Sequence, residues 1–253
     1  MVTRNDVINR LKPFVMHHKK VLTAWEGGSA ATKSVDRYSD LDLMIVAEAK
    51  AVETIFSSVE ALFLEHYGIQ ESMRLPEPTW HGFAQKFYLL KATEPWFYVD
   101  LCVLTPASED TFTAPDRHGN GVVWKDTINF IDTKPTPPET IQKRAKMHYM
   151  RATKGTFVLR LEIEKALHRN HYLDAYHFTY SFVMRCLVPL MNIEHRIAKV
   201  DFGVRYISHD YTKEDYQLIK SFMEVSTIEA LKAITARLFK RYETLKKAYQ
   251  HFM

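Results

Sequence analysis

Cysteine is almost missing from this chain, with two in 253 residues. Cys102 and Cys186 fall in apolar runs and read as core residues, which leaves no disulfide framework. Neither has the Cys/His spacing of a structural zinc site. Long apolar runs are missing too. No window approaches the roughly 20 uncharged apolar residues of a membrane span, so no membrane partner is expected. The opening residues Met1-Val2-Thr3-Arg4-Asn5-Asp6 lack the apolar stretch of a secretory signal, and a cytoplasmic location is the expectation. No run of Lys or Arg exceeds two, so the net charge of +4 does not make nucleic acid the default partner. Repeats and low-complexity tracts are absent as well.

What is present suffices for a packed core. Apolar residues make up 46% and charged residues 25%, in a length that suits one large domain or two modest ones. The charge is uneven. Residues 1–134 hold 14 Lys and Arg against 18 Asp and Glu, a balance of −4; the remainder holds 20 against 12, a balance of +8. Two units with different tasks are implied, the second suited to a phosphate-bearing ligand.

The first half alternates between element types. Thr3, with Asp6 three residues on, predicts a capped amphipathic helix over 3–18. Strands are predicted at 21–26, 41–46, 83–90 and 96–104, with a helix at 50–66. Residues 105–138 are rich in turn formers, interrupted by the apolar patch Val122-Val123-Trp124. The linker candidate is 133–138, where Thr136 (N-cap), Pro137 (N1) and Glu139 (N3) also signal a helix start. Beyond it every strong pattern is helical. One long helix is predicted over 138–168, a second over 171–192, and capping boxes at Thr212–Asp215 and Ser226–Glu229 start two more.

The chemistry concentrates near residues 26–46. Asp40 and Asp42 open an apolar strand two residues apart, which puts both carboxylates on one face. Carboxylates that close must share a proton or a cation, and hard oxygen ligands suit Mg²⁺. Asp100 interrupts the run Phe97-Tyr98-Val99-Asp100-Leu101-Cys102-Val103-Leu104, which reads as a buried central strand. A charge there needs a partner or a metal, and three carboxylates on two strands could hold a divalent pair. Gly28-Ser29 lies just upstream, between a strand and a short helix. Glycine admits a phosphate close to the backbone, and helix N–H groups face it.

The order Gly28-Ser29, then Asp40-Leu41-Asp42, then a later strand Asp100 resembles the DNA polymerase β-type nucleotidyltransferase superfamily. The second half, with Lys165-Ala166-Leu167-His168-Arg169 and Arg205-Tyr206-Ile207-Ser208, resembles aminoglycoside 6-adenylyltransferases and lincosamide nucleotidyltransferases. The resemblance implies an α+β fold. Residues 1–135 would be a catalytic domain with a mixed β-sheet flanked by helices, and 136–253 an all-α bundle that closes over substrate. It implies Gly28 and Ser29 on the triphosphate, Asp40, Asp42 and Asp100 as Mg²⁺ ligands, and ATP as donor. Asp100 would be ligand or base, and Lys165 would reach the phosphates. Asp174 and His177, three apart on one helix, are the acceptor-side candidates, with His177 as an alternative base.

The expected reaction moves AMP from ATP to a hydroxyl of a small molecule, an aminoglycoside or lincosamide antibiotic by resemblance. A helical half at +8 argues against a strongly cationic acceptor. The acceptor is expected between the two halves, against the helix carrying Asp174 and His177. Two alternatives stay open: modification of a protein or an RNA end, and a nucleotide-binding regulatory protein without turnover. Structural readings stand beside the functional ones: Asp100 as a buried ion-pair residue, Lys165 as a surface lysine, His177 and Asp174 as satisfied helix residues. Oligomeric state has no sequence signal.

Overall fold

The computed structural model of the chain describes residues 1–108 and 110–253. They form two compact units, Met1–Pro135 and Thr136–Met253. The fold is mixed α/β: a six-stranded mixed sheet in the first unit and helices throughout the second.

The sheet contains β1 (Thr23–Glu26), β2 (Leu41–Val46), β3 (Ile69–Arg74), β4 (Ala84–Leu90), β5 (Tyr98–Leu104) and β6 (Val122–Asp126), in the order β3-β4-β5-β2-β1-β6. One pair is parallel, β2 with β5 at the centre; the other neighbours run antiparallel. Alternation along the strands sorts the residues. Leu41, Leu43, Ile45, Val99, Leu101 and Val103 share one large core with α1 (Arg4–His17) and α3 (Val52–His66). On the opposite face a smaller cluster of Trp25, Val46, Phe83, Cys102 and Leu104 packs beside the aspartates. Helix α1 starts with the reciprocal Thr3–Asp6 capping box that the sequence predicts.

β3 escaped prediction because Ile69–Arg74 is a polar edge strand, exposed at four of its six positions. β6 is more than the expected apolar patch: it forms the other edge, paired with β1. Two four-residue helices complete the first unit, α2 (Gly28–Ala31) and α4 (Pro115–His118).

The second unit is a helical bundle. The predicted helix over 138–168 is two helices, α5 (Pro138–Thr153) and α6 (Thr156–His168), because Gly155 takes φ +72° and turns the chain between them. Pro137, not Thr136, is the N-cap of α5. The predicted helix over 171–192 runs on to Arg196 as α7 (Tyr172–Phe182), a π-helical segment Val183–Leu187 and α8 (Val188–Arg196). The π segment comes just before Pro189, which has no N–H to donate. After α9 (Ile207–Asp210), helix α10 (Lys213–Met223) has Thr212 as its N-cap, accepting from the Asp215 N–H, while the Asp215 carboxylate of the expected capping box turns to Arg241 and His195. Helix α11 (Ile228–Ala248) starts one residue later than predicted: Thr227, not Ser226, accepts from the backbone N–H of Ala230.

An ion network ties α8, α10 and α11. Arg241 donates to Asp215 at 2.6 and 2.9 Å and pairs with Glu194, while His195 Nε2 lies 2.7 Å from Asp215. Burial pushes the Asp215 pKa up, but bonds from Arg241 and His195 outweigh it and hold the carboxyl below its ordinary value. That stabilisation is present above the unfolded carboxylate pKa and is lost as pH falls through the lower folded value. Arg241→Ala is expected to cost about 2–3 kcal/mol near neutral pH, because it strands a buried carboxylate. Thermal unfolding at pH 7 and pH 3 checks this, and the loss should shrink at pH 3.

Candidate functional site

β2 and β5 place two carboxylates side by side. Asp42 is the register partner of Asp100 on the parallel pair, so both side chains leave the same face of the sheet. Asp40, at the entrance to β2, hydrogen-bonds Asp42; Asp42 feels the charges of Asp40 and Asp100, and Asp100 feels that of Asp40. Burial, then Asp40, then Asp100 push the Asp42 pKa up to about 7. Burial also raises Asp100, against the Gln85 amide that donates to both of its oxygens at 2.7 and 2.9 Å. Repulsion of this kind is what a shared cation relieves.

Two further residues hold the cluster. Arg4 Nε donates to the Asp40 backbone carbonyl at 2.9 Å, and its guanidinium pairs with buried Glu26. Burial also raises the pKa of Tyr98, whose hydroxyl bonds Asp40. Tyr98 is two residues before Asp100, on the same face of β5.

The Gly27-Gly28-Ser29 turn docks directly on this cluster. The Gly27 N–H donates to the Asp42 carbonyl at 2.9 Å. Gly28 adopts φ +52°, and a Cβ there would stand 1.7 Å from Asp42 Oδ2. The Asp42 carboxylate can pack this closely on the turn only because residue 28 has no side chain. In the same turn, Ser29 Oγ is buried without a hydrogen-bond partner among the described residues. An orphaned hydroxyl, a close glycine turn and three neighbouring carboxylates, hard-oxygen donors, fit Mg²⁺ with a phosphate group. Gly28→Ala is expected to displace the Asp42 carboxylate and to lower the melting temperature by several degrees, since the backbone conformation also disfavours alanine. Thermal unfolding, with and without Mg²⁺, is the check; a variant with wild-type Tm and metal response contradicts the close packing.

The second unit holds the other sequence candidates. Lys165 is exposed on α6 and pairs with Glu162 at 2.8 Å. Asp174 is exposed on α7, 3.5 Å from His171. His177 is exposed on the same helix, its ring 5.8 Å from that of Phe178. None of the three is bundle core. Among the described residues, the set that brings three metal-ligand atoms within 4.8 Å of one another is Glu194, His195 and Asp215, not the aspartate trio. Arg241 already supplies the cation of that set, which makes it an ion network rather than a metal centre.

Arg4, Gln85 and Tyr98 were not legible as site residues. Tyr98 had a signal, its two-residue offset from Asp100. Gln85 had none, because its approach to Asp100 depends on the pairing of β4 with β5.

No family model matches the chain, and no curated protein matches it. A distant structural neighbour is a chain of the GLD-2/RNP-8 complex, similar over 94% of this chain and 74% of that one, with 9% identity and a TM-score of 0.31. At that level the likeness adds no weight to the geometry of the site.

Proposed function

We propose that this chain is a nucleotidyltransferase of the DNA polymerase β type that transfers AMP from ATP to a hydroxyl of a small-molecule acceptor. One observation carries the reading: Asp42 and Asp100 lie side by side in register on parallel strands, with the Gly28 turn packed directly on the Asp42 carboxylate. Asp40, Asp42 and Asp100 would hold Mg²⁺, which when bound supplies charge neutralisation and polarises the phosphoryl oxygens.

The protein's own groups do the rest. Gly28 admits the triphosphate to the backbone, and Ser29 Oγ has its hydrogen-bonding capacity unspent for a phosphate oxygen. The acceptor hydroxyl attacks the α-phosphorus, the bond to the pyrophosphate oxygen breaks and pyrophosphate leaves. The proton of the attacking hydroxyl passes to a carboxylate oxygen of Asp100, or to His177 if the second unit supplies the base. Lys165 is assigned to the phosphates, and Asp174 with His177 to the acceptor.

The test is an acceptor screen with α-³²P-labelled ATP and Mg²⁺. It covers aminoglycosides, lincosamides, neutral polyols, a protein mixture and RNA with a free 3′ end. Label on a small molecule, lost in Asp42→Asn, supports the reading. Label on protein or RNA alone moves the acceptor to a macromolecule. ATP binding without transfer to any acceptor would leave a nucleotide-binding regulator. Lys165→Ala and His177→Ala then report the part of the second unit, and unchanged kinetics remove those residues from the site.

A further inference from the structure

Asp100 is oriented by a chain of hydrogen bonds whose direction is set by a backbone amide. The Phe83 N–H, which can only donate, points at His81 Nδ1 at 3.1 Å. The hydroxyl of Thr79 lies 3.2 Å from the same nitrogen, but it gives its proton to the Phe83 carbonyl at 2.6 Å. Nδ1 therefore accepts, and the imidazole proton sits on Nε2. Nε2 lies 2.9 Å from Gln85 Oε1, which turns the amide nitrogen of Gln85 to both oxygens of Asp100. The reverse amide orientation would set Oε1 against the carboxylate. The rings of Trp80, Phe83 and Phe112 pack around the imidazole and hold it in place.

Gln85 is buried, and a half-buried carboxylate beside it would ordinarily take a cation. Lys or Arg there would orient Asp100 and neutralise it. A neutral amide orients it and leaves the negative charge intact. Cys102 Sγ, 3.7 Å from Asp100 Oδ1, adds only a weak donor. We propose that Gln85 is a positioning residue that aims the Asp100 carboxylate at a divalent cation, and that His81 fixes the sense of the Gln85 amide. This rests on the nucleotidyl-transfer reading for its purpose, but not for its geometry.

Three measurements test it. Long-range ¹H–¹⁵N NMR of the metal-free protein reads the His81 tautomer, and Nε2–H is expected. A neutral ring protonated on Nδ1, with Thr79 as acceptor, overturns the chain. Mn²⁺ binding by electron paramagnetic resonance is then compared between wild type and Gln85→Met. Removal of an outer ligand-orienting partner is expected to weaken binding about 10–100-fold. The same variant should lower kcat for label transfer by a similar factor, with the ATP KM within about threefold. His81→Phe should weaken Mn²⁺ about tenfold, and His81→Gln, which keeps a donor near the Nε2 position, should recover most of it. The His81 pair gives the answer if Gln85→Met does not fold. Mn²⁺ affinity equal to wild type in Gln85→Met, or in His81→Phe, overturns the proposal. Mn²⁺ affinities in the expected order without any label transfer would keep the positioning role and overturn the proposed reaction. A wild type that binds no Mn²⁺ overturns the metal role, and the tautomer alone still decides the orientation of the amide.

Discussion

Asp42→Asn is expected to lower nucleotidyl transfer at least ~10³-fold while raising the stability of the metal-free protein. The two effects have one cause. Asp42 is held against Asp40 and Asp100 in a buried setting that pushes its pKa up to about 7. As an anion it completes a cation site; without the cation it destabilises the fold. The sign follows from linkage. A folded pKa above the unfolded value of about 3.9 means that the native state holds an extra proton between roughly pH 4 and pH 7. Stability from this group is complete below pH 4 and is lost as pH rises through 7. The asparagine does not ionise, so its advantage is nil at pH 4, grows to about pH 7 and levels off above it. The plateau is bounded by about 4 kcal/mol, the free energy of a shift of some three pKa units. Label transfer and thermal unfolding at pH 4, 6 and 8 measure both halves. Near-normal transfer would remove Asp42 from the cation site. A melting temperature lowered equally at all three values would mean that Asp42 serves the fold and not the site.

The site was readable to the extent that it is local. Asp40 and Asp42 lie two apart on a strand, so alternation alone puts them on one face. The Gly28 turn was marked by residue type, and its φ of +52° is a conformation that favours glycine. What sequence could not supply was register. Asp100 faces Asp42 because β5 pairs in parallel with β2 at Asp42 and Asp100 and not one residue off. A shift by one residue would have turned Asp100 into the opposite core. Gln85 is farther from view still, since it reaches Asp100 from a third strand. The same limit hid β3, whose exposed residues carry no apolar alternation, and the break at Gly155, where helical periodicity resumes on the far side of a single left-handed residue. Local signals located the caps at Thr3 and Thr212; at Thr227 two neighbouring hydroxyls competed, and backbone geometry chose the second.

Mg²⁺ affinity should depend steeply on pH below neutrality and become flat above it. A proton and the cation compete for the Asp42 carboxylate, and with its pKa at about 7 the proton wins at low pH. Each unit below 7 should weaken Mg²⁺ about tenfold, so binding at pH 5 is expected to be roughly 100-fold weaker than at pH 8. Ordinary exposed aspartates, which titrate near 4, would give no change over this range. Asp100, also raised by burial, adds to the slope if both protons must leave before the cation enters. Calorimetric titration with Mg²⁺ at pH 5, 6, 7 and 8 reads the affinity and the protons released. About one proton should be lost per ion at pH 6, and almost none at pH 8. In Asp42→Asn the slope should fall along with the affinity. An affinity that stays constant from pH 5 to pH 8 would mean that the cation does not displace the Asp42 proton, and the paired carboxylates would then be a proton-sharing dyad instead of a metal site.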